Sequence, residues 1–216
     1  MVGTHRAVLV GRISPGGVNV LGSAFIADQF GNCATPYHVV GSNDDNLCIV
    51  LSPTVDINVY QDSSETNCSI APAKMTEVDP SRDIAILKTD LTFPSGFTFA
   101  PLGSFDDCNV ADQMEIFGYP HCTFGRRALT LQRAEIGAKV IMENNGAKSK
   151  HGVLNIQTRP GQSGSFVQCP RRLQVVGMLI GAWVPGQGRI SLGGINPHEL
   201  HQTTHCISAD HIRDML

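Results

Sequence analysis

Apolar positions in this chain fall into short blocks separated by Gly, Pro, Asn, Asp and Ser, and many of the blocks alternate with polar residues. That period of two is the signature of half-buried strands. The pattern predicts strands at Ala7–Ile13, Val18–Ala27, Leu47–Leu51, Val55–Tyr60, Lys74–Val78 and Asp83–Lys88, with a turn at Asp28–Asn32. A connection around Leu91 to Asp112, rich in Phe, Pro, Ser and Gly, separates these from a second set. That set comprises Gln113–Tyr119, Ala128–Met142, Gly152–Thr158, Ser165–Cys169, Gln174–Trp183 and Arg189–Ile195. Within Ala128–Met142, Gly137 marks a bulge or the break between two strands. Ser208 followed by Asp210 predicts the start of a closing helix that runs to Leu216. The reading is an all-β barrel or sandwich with a short C-terminal helix, and no internal repeat is visible.

Length and charge narrow what such a fold does. A chain of 216 residues holds a sizeable core, and all-β domains of this size are commonly one unit. The formal net charge of −3 and the lack of a long Lys/Arg cluster argue against nucleic acid as a partner, and Arg126-Arg127 and Arg171-Arg172 read as solvated loop pairs. The longest apolar stretch, Val175–Val184, is too short to span a membrane and ends at Pro185-Gly186. Met1–Arg6 has no apolar segment of signal-peptide length, so the expected location is cytoplasmic, unless the chain is cut from a longer precursor. Seven cysteines without a CxxC pair predict mostly free, buried thiols, and in that setting the Asn67-Cys68-Ser69 sequon carries no meaning. His198, His201, His205 and Cys206 have spacings compatible with zinc, but no second ligand pair stands elsewhere. The expectation is no metal and no cofactor, with this stretch a loop and an edge strand.

Three segments carry candidate chemistry. In Thr158-Arg159-Pro160-Gly161-Gln162-Ser163-Gly164-Ser165-Phe166, one serine stands between two glycines just before an apolar run. Gly161 can take backbone angles closed to other residues, so its N–H and that of Ser163 can converge as an oxyanion hole. Ser165 is a rival hydroxyl but lacks that backbone. His38, in Thr35-Pro36-Tyr37-His38-Val39-Val40, supplies an imidazole, and Asp83 a carboxylate at the edge of the apolar strand Ile84–Leu87. Asp79 competes with Asp83 but precedes Pro80 in a turn. Histidine, aspartate and serine in this order supply a general base, a group to orient it and a nucleophile.

These segments resemble the trypsin-like serine protease family, and most of all its HtrA-type and related bacterial branch. Gly22-Ser23-Ala24-Phe25-Ile26 is similar to that branch's G-S-G-F strand, and Thr35–Val40 to T-x-x-H-V. Asp83–Leu87 is similar to D-[LI]-A-[LIV]-L, and Gly161–Ser165 to G-[DN]-S-G-G. Two positions depart from the pattern, Gln162 and Ser165. Gln162 lacks the carboxylate that secreted members pair with a newly cut N-terminus, so no zymogen switch of that kind is expected. Val39 also stands where secreted members carry a disulfide cysteine.

The resemblance implies two six-stranded Greek-key barrels within one peptidase domain, residues 1–105 and 106–216, with the active site between them. It implies a serine endopeptidase with His38, Asp83 and Ser163 as catalytic residues and Gly161 and Ser163 as oxyanion donors. A polypeptide substrate would lie along Ile180, Gly181 and Ala182. The S1 pocket would have Asn155-Ile156-Gln157-Thr158 as its other wall, with Gln157 and Thr158 touching substrate. That wall holds no acid, which favours small or apolar P1 side chains over Lys or Arg. Arg189 would invert the preference if it reached the pocket. An alternative is a silent or activator-dependent peptide-binding module of the same fold, within an intracellular quality-control or bacterial defence system. No appended PDZ domain is visible in these 216 residues, and the sequence leaves an activating partner or a homo-oligomer open.

Overall fold

The computed structural model describes residues 4–51, 56–94, 99–183 and 203–216. Its strands are β1 (Ala7–Ser14), β2 (Gly17–Ile26), β3 (Asn32–Thr35), β4 (Leu47–Leu51), β5 (Ser69–Asp79), β6 (Ile84–Thr89), β7 (Gln113–Gly118), β8 (Thr130–Asn144), β9 (Ala147–Leu154), β10 (Phe166–Cys169), β11 (Gln174–Trp183) and β12 (Thr203–Ser208). The described residues also form two short helices, α1 (Tyr37–Val40) and α2 (Ala209–Arg213), and single 3-10 turns at Thr4–Arg6, Phe105–Asp107 and Cys122–Phe124. The strands close into two antiparallel barrels, in the orders β1-β2-β3-β6-β5-β4 and β10-β11-β12-β9-β8-β7. Closure leaves neither sheet with an open edge along its full length.

Burial follows position in the barrel. β5 and β8 alternate between buried and exposed residues because only one face of each meets the core. The first half of β1 and the last half of β2 are buried on both faces, since one face lines the barrel and the other meets the second barrel. Val8, Val10, Ile26, Ile49 and Leu87 fill the first barrel, and Met114, Ile136, Leu154, Val176 and Leu179 the second. Between them runs a third cluster drawn from both barrels. Phe25 of β2 meets Phe166 of β10 at 5.8 Å between ring centroids, and Phe166 stacks on Phe117 of β7 at 5.0 Å. The Tyr119 hydroxyl crosses the same boundary to Ala7 O at 3.1 Å.

Arg6 secures the connection between the barrels. Its guanidinium is fully buried and donates to Ile26 O, Ala27 O and Ala100 O. Phe25 and Phe99 stand against its faces. Burial lowers its pKa to about 10, which still leaves it charged at neutral pH.

Several elements differ from the sequence reading. β3, four residues long, completes the first barrel just after the turn predicted at Asp28–Asn32, at residues the pattern assigns to no strand. The strand expected at Val55–Tyr60 is absent from residues 56–60, which form a turn. There the Asp56 carboxylate accepts the Asn58 N–H at 2.9 Å, and Tyr60 is wholly exposed. A side chain that captures a backbone donor competes with a strand ladder. β8 stays continuous through Gly137, with a bulge between Ile136 and Ala138. β9 starts earlier and stops sooner than Gly152–Thr158. Ser208 precedes α2, but its hydroxyl accepts the Phe105 N–H at 3.1 Å and does not cap the helix. The strand expected at Arg189–Ile195 lies outside the described residues.

Candidate active site

The histidine is presented by the chain's exit from β3. Pro36, in extended conformation, precedes the single turn of α1, and this leaves the His38 side chain half exposed. Asp83 stands just before β6 with φ at +58°, a left-handed conformation that aspartate tolerates better than most residues. From there it holds the histidine segment at three points. Asp83 O accepts the Tyr37 N–H at 3.2 Å, Oδ1 accepts the His38 N–H at 2.8 Å, and Oδ2 meets His38 Nδ1 at 2.6 Å. A carboxylate oxygen at that distance accepts from an Nδ1–H, and in the neutral imidazole that tautomer leaves the lone pair on Nε2. The rival acid, Asp79, is engaged elsewhere: it accepts from the backbone N–H of Arg82 at 3.0 Å and from its guanidinium at 2.7 Å.

The serine turn comes from the second barrel. Gly161 has φ at +88° and Gly164 at +96°, and neither has room for a side chain. A Cβ on Gly161 would lie 2.7 Å from Cys122 Sγ, and one on Gly164 would lie 1.8 Å from Ser23 O. The turn is fastened to β11 by Gly164 N–H to Leu179 O and Leu179 N–H to Ser165 O, both 2.8 Å. It is fastened to the first barrel by Ser23 N–H to Ser163 O at 3.0 Å. Gly22 lies between the two halves of the site: a Cβ there would be 2.9 Å from Val39 and 3.4 Å from Ser163 O. The fold therefore brings the His38 segment and Ser163 together over the side-chain position of one strand residue.

Imidazole and carboxylate meet, but the hydroxyl is turned. Ser163 Oγ donates to Ile180 O at 2.8 Å, so its single proton is directed at that carbonyl and not at His38. That proton must leave Ile180 O before the hydroxyl can donate to Nε2.

Both departures from the family pattern have a structural role. Gln162 is buried, its Oε1 accepts the Arg159 N–H at 2.7 Å, and its Nε2 donates to Gln132 Oε1 of β8 at 2.7 Å. The amide thus closes the turn on itself and ties it to the barrel wall. Ser165 is fully buried against Gly118 of β7, where a Cβ would lie 1.7 Å from its hydroxyl. Reading the sequence did not single out Gln132 or Cys122. Cys122 packs under the turn and its thiol donates to Gly161 O at 3.4 Å. Burial pushes its pKa up to about 11, so it is a neutral thiol and no rival nucleophile.

On the expected substrate side, Ile180 is the bulged residue of β11, between Leu179 and Gly181. Gly181 and Ala182 pair with His205 and Thr204 of β12. β10 pairs with β11 only as far as Met178. Among the described residues, no strand covers β11 beyond Met178 on that side. Thr204 Oγ1 donates to Ile156 O at 2.5 Å, which brings the Asn155–Thr158 segment beside the Ala182 end of β11. Gln157 is exposed and accepts from the Arg159 guanidinium at 2.9 Å, while Thr158 is half-buried. Arg189, His198 and His201 lie outside the described residues. Cys206 is fully buried in the core of the second barrel and burial raises its thiol pKa, whereas His205 is half-buried on β12. No group of three metal-ligating side chains occurs among the described residues.

A family model for the trypsin-like peptidase domain matches residues 22–178, a span that contains His38, Asp83 and Ser163. The chain belongs to that family. Among solved structures, this trypsin-like peptidase domain is similar to the MamO protease domain from Magnetospirillum magneticum. The two are 15% identical with a TM-score of 0.69, over 100% of this chain and 97% of that one. It is also similar to the active form of the Rv3671c protease from M. tuberculosis, at 17% identity and TM-score 0.67, over 98% of this chain and 79% of that one. The HtrA-type protease AlgW, solved with a tripeptide, matches at 18% identity and TM-score 0.66, over 99% of this chain and 59% of that one. At such identities the likeness is one of fold. No curated protein matches the chain in sequence.

Proposed function

We propose that this domain is a serine endopeptidase that cleaves polypeptides through an acyl-enzyme. The observation that carries the reading is the Asp83 clamp, which holds His38 with Nδ1 at 2.6 Å from Oδ2 and leaves Nε2 as a base. Ser163 is the nucleophile. On attack at a carbonyl its proton passes to His38 Nε2, and Asp83 stabilises the imidazolium. The N–H groups of Gly161 and Ser163 are the donors for the tetrahedral oxyanion. His38 then returns the proton to the leaving amine, and water repeats the sequence on the ester.

An extended peptide adds to the uncovered edge of β11 at Ile180–Ala182, with Gln157 and Thr158 flanking its P1 side chain. The described part of that wall offers no acid, which supports small or apolar P1 residues. The seven free cysteines are in keeping with a reducing, cytoplasmic setting. The test is labelling by a fluorophosphonate probe together with profiling on a peptide library. Wild type should be labelled and should cleave, and Ser163→Ala should do neither; labelling that survives Ser163→Ala refutes the assignment.

One observation favours a second reading, an activator-dependent or silent peptide-binding module. The Ser163 hydroxyl is spent on Ile180 O, the carbonyl on the edge where a substrate N–H would bind. In that reading the site is idle until a peptide takes Ile180 O and releases the hydroxyl toward His38. Fluorophosphonate labelling that rises severalfold when a non-cleavable peptide is added supports it, and a rate indifferent to peptide excludes it.

A further inference from the structure

We infer that Ser23, a residue of the first barrel, is a positioning residue for the oxyanion site of the second; the inference rests on the peptidase reading above. Ser23 is fully buried on β2 and every polar group it carries is aimed at part of the site. Its N–H donates to Ser163 O at 3.0 Å. Its hydroxyl donates to Gly161 O at 2.8 Å and accepts the Tyr119 N–H at 3.1 Å. Its carbonyl accepts from Thr35 Oγ1 at 2.9 Å, three residues before His38.

The geometry gives the hydroxyl a directional role. Tyr119 N–H is a donor, so the single proton on Ser23 Oγ goes to Gly161 O, and the peptide between Gly161 and Gln162 is held by its oxygen. The preceding peptide is held in the same way, because Pro160 O accepts the His121 N–H at 2.7 Å. In a planar trans peptide the C=O and the N–H point in opposite directions. Fastening Pro160 O toward His121 therefore turns the Gly161 N–H to the other face of the turn. The peptide that carries the Gly161 N–H is tied through Pro160 O and the next peptide through the Ser23 hydroxyl, so the backbone is held on both sides of the Gly161 Cα. The Cys122 thiol at 3.4 Å is a much weaker hold on Gly161 O. The Ser23 hydroxyl is thus the strong side-chain contact to the oxyanion turn from the first barrel.

The test is Ser23→Ala in the full chain, with kcat, KM and affinity for a peptidyl trifluoromethyl ketone, which forms an oxyanion on Ser163, measured beside affinity for the product peptide acid. Complete loss of one oxyanion donor lowers kcat by roughly 100- to 1000-fold, so a misaimed donor should lower it by about 10- to 100-fold. KM and product affinity should stay within about twofold, the ketone should weaken by the same factor as kcat, and Ser23→Thr, which keeps the hydroxyl, should recover most of the rate. A purely structural role would move KM and product affinity along with kcat. If Ser23→Ala does not fold, Ser23→Cys keeps the volume with a weak donor and takes the same two outcomes. An active wild type whose folded variant keeps kcat within about twofold overturns the role of Ser23 alone. A wild type that neither cleaves nor labels overturns the peptidase reading, and this inference with it.

Discussion

Asp83 combines an uncommon backbone angle with both of its side-chain oxygens on the histidine segment, so substitutions there separate chemistry from folding. Asparagine tolerates φ near +58° nearly as well as aspartate. Asp83→Asn should therefore leave stability almost unchanged while lowering kcat by about 10^4-fold, the magnitude known for this exchange in serine peptidases of this fold, because the wrong tautomer of His38 is favoured. Alanine at the same position adds a left-handed penalty of roughly 1–2 kcal/mol, visible as a lower urea midpoint. Gly161→Ala tests the turn. Its φ of +88° and the 2.7 Å approach to Cys122 Sγ force the peptide to move, and kcat should fall by about 100-fold or more in steady-state assays.

Strand pairing decides why the two departures from the family pattern are tolerated. Ser165 fits just ahead of β10 because the facing residue of β7, Gly118, has no side chain. Gly118→Ala should cost about 1–3 kcal/mol by overpacking, and Ser165→Gly in the same chain should recover most of it. Urea denaturation of the two single variants and the double variant measures the coupling; additive costs would show that the contact is not what limits position 118. The Ser165 hydroxyl has no hydrogen-bond partner, so Ser165→Ala should be neutral or stabilising by up to about 1 kcal/mol. Legibility differed among elements for similar local reasons. β11 was read at its true bounds because a long apolar run ends at Pro and Gly. The strand pattern does not mark the β8–β9 hairpin, although Asn145 and Gly146 both have positive φ and form the tight turn that Asn-Gly favours. The four residues of β3 carry too little alternation to mark a strand, and the alternation of Val55–Tyr60 marks one that burial does not back.

The assembled molecule predicts acid sensitivity. His151 on β9 is buried close to His205 and His211, and burial, with their charge second, lowers its pKa to about 4. Burial also depresses His205 and His211, the latter against the raising effect of Asp210. Lys150, which pairs with Asp106 and with Asp210 at 3.2 Å, adds positive charge nearby. A histidine that resists protonation when folded but titrates near 6.5 when unfolded supplies stability that is full above pH 6.5 and declines as pH falls toward 4. For His151 the loss by pH 4 is about 3 kcal/mol, and His151→Gln should flatten the dependence of the urea midpoint between pH 7 and pH 4.5. Arg6 matters on the same scale of size. Its guanidinium joins the end of β2, at Ile26 and Ala27, to the connection at Ala100, and Arg6→Ala should cost about 3–5 kcal/mol by leaving buried carbonyls unpaired.

Chemistry carried by residue type and local order was legible without coordinates. A glycine-flanked serine, an acid before an apolar strand and a histidine after a buried one name the candidates, and alternation names the all-β class, because these depend on neighbours along the chain. What depends on neighbours in space was not. The left-handed angle of Asp83, the proton of Ser163 given to Ile180 O, the Gln162–Gln132 contact and the four hydrogen bonds of Ser23 arise only when two closed barrels press strands distant in sequence together. Hydrogen bonds between them have geometry that no spacing along the chain encodes.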